Sequence, residues 1–160
     1  DLMIHDLDIV LKLVGQAPAE IHAAGISILS PKVDIANVRI AFPGGCIANL
    51  TASRVSTERV RKLRLFQPHQ YLSVDYTRQE LNVLSVSEER QIHFQPTPVE
   101  RQEPLRLEIE SFLDCVETRA APRVTGGQAL AALEAALAIA AKIEEHSRVV
   151  AHTIATYQAP

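Results

Sequence analysis

Apolar residues recur along this chain with two periods, and the switch between them divides it into a helical opening, a strand-forming middle and a helical end. From Asp1 to Val14, the residues Ile4, Leu7, Val10, Leu11, Leu13 and Val14 cover most of a helical circumference. That pattern predicts a helix buried over most of its surface. The remaining stripe is polar: at roughly 100° per residue, Asp1, His5, Asp8 and Lys12 fall within it, and Asp6 is the one polar intruder elsewhere. A mostly buried helix must turn such a stripe towards a pocket, a partner or a thin strip of solvent.

The middle of the chain reads as strands. Residues 19–28 stop ahead of Pro31, residues 35–42 run into Pro43-Gly44-Gly45, and residues 46–53 return as the second arm of a hairpin. Val38, Ile40 and Phe42 alternate with Asn37, Arg39 and Ala41, whereas Ile47 and Leu50 leave the return strand without a clear phase. Residues 61–67 and 71–76 pair around Pro68-His69-Gln70, and residues 80–86 and 91–95 are further strands. The order is that of an antiparallel meander and not of a βαβ alternation.

Residues 96–103 connect to a helix from Pro104 to Thr118, marked by Leu105, Ile109, Phe112 and Val116. Thr125 and Gln128 then form a Thr-x-x-Gln capping box that opens a long Ala-rich helix reaching Glu145. Leu130, Leu133, Leu137 and Ala141 share one of its faces, and its alanines permit close approach of a neighbouring element. Residues 147–157 are expected to add a strand. Together these elements predict an α+β fold, a two-layer sandwich in which a mostly antiparallel open sheet carries helices on one face.

Composition bounds the function. The 160 residues are 47% hydrophobic, enough for one domain with an ordinary core, but only 4% aromatic with no Trp, so the packing is aliphatic. A formal charge of −3 gives no reason to expect nucleic acid or an anionic membrane as partner. No uninterrupted apolar run approaches the roughly 20 residues that span a bilayer, and there is no signal-peptide pattern. Cys46 and Cys115 lack any Cys-x-x-Cys spacing, so reduced thiols and a cytoplasmic location are the expectation.

The chemistry concentrates in the opening stripe. An imidazole with carboxylates four residues before it and three after it is suited to proton transfer, because neutral histidine both accepts and donates near physiological pH. An isolated Asp/His/Asp pattern on a helix is more often an ordinary solvated face. With one histidine in the set, no metal site is assigned.

The Asp1-x-x-x-His5 segment resembles the corresponding segment of the Gfo/Idh/MocA oxidoreductases, where it begins the helix leading from the nucleotide-binding domain into the substrate domain. The resemblance identifies the chain as the C-terminal substrate and oligomerisation domain of such an enzyme, with the N-terminal Rossmann domain absent. Consistent with that, Gly44-Gly45 and Gly126-Gly127 are isolated pairs without the Gly-x-Gly-x-x-Gly spacing, and no Glu-Lys-Pro segment is present. By resemblance, His5 exchanges the substrate hydroxyl proton, Asp1 bonds the substrate or favours the protonated ring, and Asp8 orients His5 or bonds nearby backbone. The resemblance also implies NAD(P) as cofactor of the longer protein, no cofactor for this piece alone, and self-association as a homodimer or tetramer through the open sheet face.

Arg54, Arg59, Arg61, Lys62 and Arg64 form a second concentration. Arginine forks match phosphate oxygens, but residues adjacent on a strand face opposite ways, so most of this run is expected to be a solvated edge. The segment 51–56 with 61–66 resembles family members that oxidise UDP-N-acetylated sugars, and a diphosphate would give Arg54 a ligand; a generic sugar or polyol substrate is equally compatible. His22, His69, His93, His146 and His152 are expected to be structural. The alternatives are a non-catalytic dimerisation module and a sugar-binding module without redox chemistry.

Overall fold

The computed structural model describes residues 3–157. Its elements run α1 (Ile4–Val14), β1 (Glu20–Ile26), β2 (Ile35–Ala41), β3 (Ile47–Ser53), β4 (Lys62–Gln67), β5 (Gln70–Asp75), β6 (Glu80–Val86), β7 (Ile92–Thr97), α2 (Pro104–Thr118) and α3 (Gly126–Tyr157). They belong to two compact units, one built from the chain up to residue 56 and from 121 onwards, the other from residues 57–120. The α+β class and antiparallel pairing expected from the pattern are present, with the strands divided between a three-stranded sheet and a four-stranded one.

In the first unit, β2 is central and pairs antiparallel with β1 and β3. Strand alternation sends Val38, Ile40 and Phe42 to one side, where they meet Leu50 of β3, Met3, Leu7 and Val10 of the α1 segment, and Ala135, Ile139 and Ile143 of α3. Leu7 and Ile40 are sealed completely. The pairing also settles the phase of β3: Leu50 lies opposite Val38 in the core, while Ile47 lies opposite Ala41 and is exposed. The other side of the sheet carries polar rows, with Arg39 donating to Asn49 (3.2 Å) and Thr51 to Asn37 (2.9 Å).

Helix α1 is less buried than its composition suggested. Leu7, Val10, Leu11 and Val14 follow the i, i+3, i+4, i+7 rule and face the core, but Leu13 is 58% exposed. A single sheet and one neighbouring helix can cover only one side of a helical cylinder. The helix ends where Gly15 adopts the left-handed conformation (φ 68°) and donates its N–H to Leu11 (2.9 Å). Gln16 then accepts a bond from Gly44 N–H (3.0 Å), tying the C-terminal end of α1 to the β2–β3 hairpin.

Two expectations for α3 are corrected. Residues 147–157 are helical and add no strand, because no glycine or proline interrupts them and the helix formed over the preceding turns extends through them. The buried face is also not the leucine face: Ala132, Ala135, Ile139 and Ile143 are buried, while Leu130, Leu133 and Leu137 are 55%, 45% and 62% exposed. The small alanines of this face let α3 pack against β1, where Ile143 sits over Gly25. A Cβ on Gly25 would stand 2.6 Å from Ile143 Cγ2 and 2.7 Å from Val33 Cγ1, so any larger residue here would have to displace those side chains. The capping box forms as expected, with Thr125 N–H donating to Gln128 Oε1 (2.8 Å) and Gln128 N–H to Thr125 Oγ1 (3.3 Å). By length and composition α3 is apolar enough to cross a membrane, but the face named above packs it into a core.

The second unit is the meander β4-β5-β6-β7 followed by α2. Glu103 caps α2 by accepting from Leu105 and Arg106 N–H (3.2 and 2.6 Å), with Pro104 in the first turn. The Gln79 side-chain amide bonds both the carbonyl and the N–H of Gln102 (2.7 and 2.9 Å), fastening the segment before α2 to the β5–β6 turn. Leu105, Ile109, Phe112 and Val116 share a stripe as expected, yet all four are exposed.

The two faces of α3 predict opposite responses in urea unfolding of the 160-residue chain. Ile139→Ala should cost about 2–5 kcal/mol, as other buried large-to-small changes do, whereas Leu137→Ala should stay within about 0.5 kcal/mol.

Candidate functional site

His5 stands in the first turn of α1 and Asp8 one turn further on. Helical geometry puts Leu7 and Val10 at roughly 200° and 140° from His5, with Asp8 and Lys12 within about 60° of it. Burial of Leu7 and Val10 therefore forces the His5–Asp8–Lys12 stripe to point away from the core of its own unit. His5 is exposed and Asp8 half-buried, and neither side chain bonds another described residue. Lys12 Nζ donates to the Arg123 carbonyl (2.9 Å), which ties the far end of the stripe to the segment preceding α3. Asp1, which the sequence pairs with His5, lies outside the described residues.

Arg54 follows directly after β3. Its backbone N–H donates to the Asp34 carbonyl (3.0 Å), continuing the β2–β3 ladder one pair past Ile35 and Ser53. Its Nε lies 3.9 Å from Asp34 Oδ1, and the Arg54 side chain is 49% exposed while that of Asp34 is fully covered. Asp34 Oδ2 accepts from the N–H groups of Ile28 and Leu29 (2.7 Å each) and Ser30 (3.2 Å), and Oδ1 accepts from the Ser30 hydroxyl (3.3 Å). The Ile28 and Leu29 N–H groups hold the Asp34 carboxyl below its ordinary value against the opposing effect of burial.

Asp34 is absent from the residues singled out by sequence pattern. The available signal was an aspartate closing a Ser-Pro-Lys-Val loop just before a strand, a setting in which carboxylates commonly bond nearby backbone N–H groups.

The cationic run separates. Arg59, Arg61, Lys62 and Arg64 are exposed, on or just ahead of β4, an edge strand of the second unit. Lys62 pairs with Asp75 at 3.3 Å, so the expectation of a solvated edge holds. His22 pairs with Glu20 (2.8 Å) on the outer side of β1, and both are largely exposed. An open groove along the β1 edge is lined by His22, Arg39, Asn49, Lys142, Glu145 and His146, and His5 is not among its walls. Cys46 and Cys115 are both free thiols. Among the described residues, no cluster of histidine, cysteine and carboxylate could hold a metal ion.

Comparison with known proteins places this geometry in context. Residues 1–73 match the family model of the GFO/IDH/MocA C-terminal domain. The UDP-N-acetylglucosamine 3-dehydrogenase of Acidithiobacillus ferrooxidans is 32% identical over 149 residues, which is 90% of this chain and 48% of the relative. A solved structure of that dehydrogenase superposes with a TM-score of 0.84 over 91% of this chain and 46% of its own. The aldose-aldose oxidoreductase of Caulobacter crescentus shares the fold at 21% identity, with a TM-score of 0.72 over 89% of this chain and 44% of its own. The chain thus spans about half the length of the relatives it matches.

The Asp34 arrangement predicts acid sensitivity. Because its folded pKa is depressed, its stabilisation is complete above the ordinary carboxylate value and is lost as pH falls through the folded value. In an acid titration followed by circular dichroism, Asp34→Asn should be less stable than the parent at neutral pH and should lose less stability than the parent below about pH 4.

Proposed function

Since this chain belongs to the GFO/IDH/MocA C-terminal domain family, we propose that it is the substrate-binding and oligomerisation part of an NAD(P)-dependent oxidoreductase acting on a sugar nucleotide of the UDP-N-acetylated type. The observation that carries this reading is the 32% identity, over nearly the whole chain, to a UDP-N-acetylglucosamine 3-dehydrogenase. The outward direction of His5, set by the packing of α1, supports it.

The described residues do not fit a dinucleotide. Both sheets are antiparallel and hairpin-connected, so there is no parallel strand–glycine turn–helix unit whose N-terminus could meet a pyrophosphate. The nicotinamide cofactor belongs outside these residues, and this piece alone is inactive. What this chain contributes is the proton. Oxidising an alcohol removes a hydride from carbon and a proton from oxygen; His5, neutral, takes the hydroxyl proton, and in the reverse direction returns it. Asp1, four residues before His5 in the sequence, assists by charge, and Asp8, on the same stripe of α1, biases the ring by its charge and not by a hydrogen bond. Arg54 meets the substrate diphosphate through the guanidinium nitrogens that its Asp34 pairing leaves unused.

Self-association is part of the same proposal. The side of the β1-β2-β3 sheet opposite its helices is uncovered in this unit and exposes Ile26 and Ile47 beside the Arg39–Asn49 and Thr51–Asn37 rows. The cysteine usage favours a cytoplasmic setting.

Two measurements test the reading. In the full-length protein with UDP-N-acetylglucosamine, His5→Ala should lower kcat by about 10²–10⁴-fold and leave the thermal midpoint nearly unchanged, because the ring is exposed. An unaltered kcat removes His5 as the proton carrier. Light scattering should show a dimer or tetramer, and replacing Ile47 on the outer sheet face with lysine should shift it towards monomer; a strictly monomeric parent refutes the interface.

A further inference from the structure

We propose that Asp34 is a positioning residue for substrate binding: it fixes the guanidinium of Arg54 so that its free edge meets the diphosphate of a nucleotide sugar. This rests on the reading of Arg54 as a substrate ligand and adds the group that makes Arg54 competent.

The two carboxylate oxygens of Asp34 have different partners. Oδ2 is taken by three backbone N–H groups of the β1–β2 loop, while Oδ1 receives the Ser30 hydroxyl and faces Arg54. The carboxylate is covered and anchored by four bonds before Arg54 is considered, so its charge is fixed in space. At 3.9 Å the Arg54 Nε is beyond hydrogen-bond distance, so attraction aims the guanidinium without consuming a donor. Neither terminal nitrogen of Arg54 bonds a described residue, which leaves the paired edge that matches phosphate oxygens. The backbone bond from Arg54 to Asp34 makes the base of the side chain as rigid as the strand.

Placement agrees. Asp34 shares strand parity with Ala36, Val38 and Ile40, and Arg54 with Leu50 and Ala52, so both belong to the side of the sheet that carries α1. They lie at the end of the sheet away from the Gly44 hairpin. The C-terminal end of α1 is tied to that hairpin, and His5, ten residues before Gly15, stands about 15 Å back along the helix axis. The cation and the proton carrier therefore share a side of the sheet and are both displaced from the same hairpin.

The test is a double-mutant cycle on full-length protein, reading KM and kcat for UDP-N-acetylglucosamine. Arg54→Ala should raise KM about tenfold or more, the scale of one charge-assisted bond, with kcat within a few-fold. Asp34→Asn should raise KM several-fold with the same kcat pattern, and the double variant should be no worse than Arg54→Ala alone. Ile139→Ala, which weakens the α3 core and touches neither residue, should lower the thermal midpoint and leave KM at the parent value. If Arg54→Ala raises KM but Asp34→Asn does not, or if the two effects multiply, the positioning role is refuted while the Arg54 reading stands. If Ile139→Ala raises KM as much as Asp34→Asn, lost stability is responsible and the role is again refuted. An unchanged KM in Arg54→Ala refutes the underlying reading itself. Should Asp34→Asn not fold, Asp34→Glu retains the charge but displaces it by one methylene, and the same cycle is read on it with the same outcomes.

Discussion

A helix lies on a sheet at a distance set by the side chains between them, and in the first unit that distance is short. Ala132, Ala135, Ile139 and Ile143 are what α3 offers, and β1 answers with Ala23 and with Gly25, whose missing Cβ is the space that Ile143 fills. The position of α3 confines α1, which packs beside it, to a course over Val38, Ile40, Phe42 and Leu50. Leu7 and Val10 must then point inward, and with them settled there is one direction left for His5. The orientation of the one histidine assigned chemistry thus follows from alanines and a glycine more than 15 residues away in sequence.

Much of this was legible in the residues. Period-2 alternation in residues 37–42 and the Pro43-Gly44-Gly45 turn were enough for the central hairpin, and Thr125 with Gln128 announced the start of α3 because each side chain can satisfy the other's backbone N–H. Periodicity was silent on which of two apolar stripes is buried. In α3 leucine and isoleucine are equal in size, and it is the stripe that also carries Ala132 and Ala135 that faces the core, because alanines at those turns let the helix approach its neighbours more closely. The same silence applies to α2, whose apolar residues share a stripe that its unit leaves exposed. No strand forms at the end of α3 for a related reason: valine and threonine at 149–153 favour strands locally, but a helix already nucleated over twenty residues extends through them at little cost. On the site, the Asp-x-x-x-His spacing led to His5, whereas Asp34 was missed because its role depends on a loop folding back on it, which no spacing rule captures.

The five cations between residues 54 and 64 look alike in sequence, and the structure separates them by what each is fixed to. Lys62 pairs with Asp75 across an edge where both are reached by water, and such surface pairs contribute about 0–1 kcal/mol. Asp75 is itself occupied in holding the β5–β6 turn through the N–H groups of Thr77 and Arg78. That arrangement serves the turn. Arg59, Arg61 and Arg64 lie on the same solvated margin, where a charge is free to move and hydration competes for it.

Arg54 differs on both counts. Its partner is a covered carboxylate already immobilised by the loop, so water screens the pair less than at the β4 edge, and at 3.9 Å the contact leaves the guanidinium N–H groups free to donate elsewhere. A half-exposed cation held at its base by a strand hydrogen bond, steered by a fixed anion, and left with two unbonded terminal nitrogens has lost much of its rotational freedom before any ligand arrives. Ordering a long side chain otherwise costs about 0.5–1.5 kcal/mol at the moment of binding. A free arginine on the β4 edge would incur that cost in full. What separates Arg54 from the cations of the β4 edge is therefore the buried aspartate behind it, and it is on this difference that the proposed anion-binding role rests.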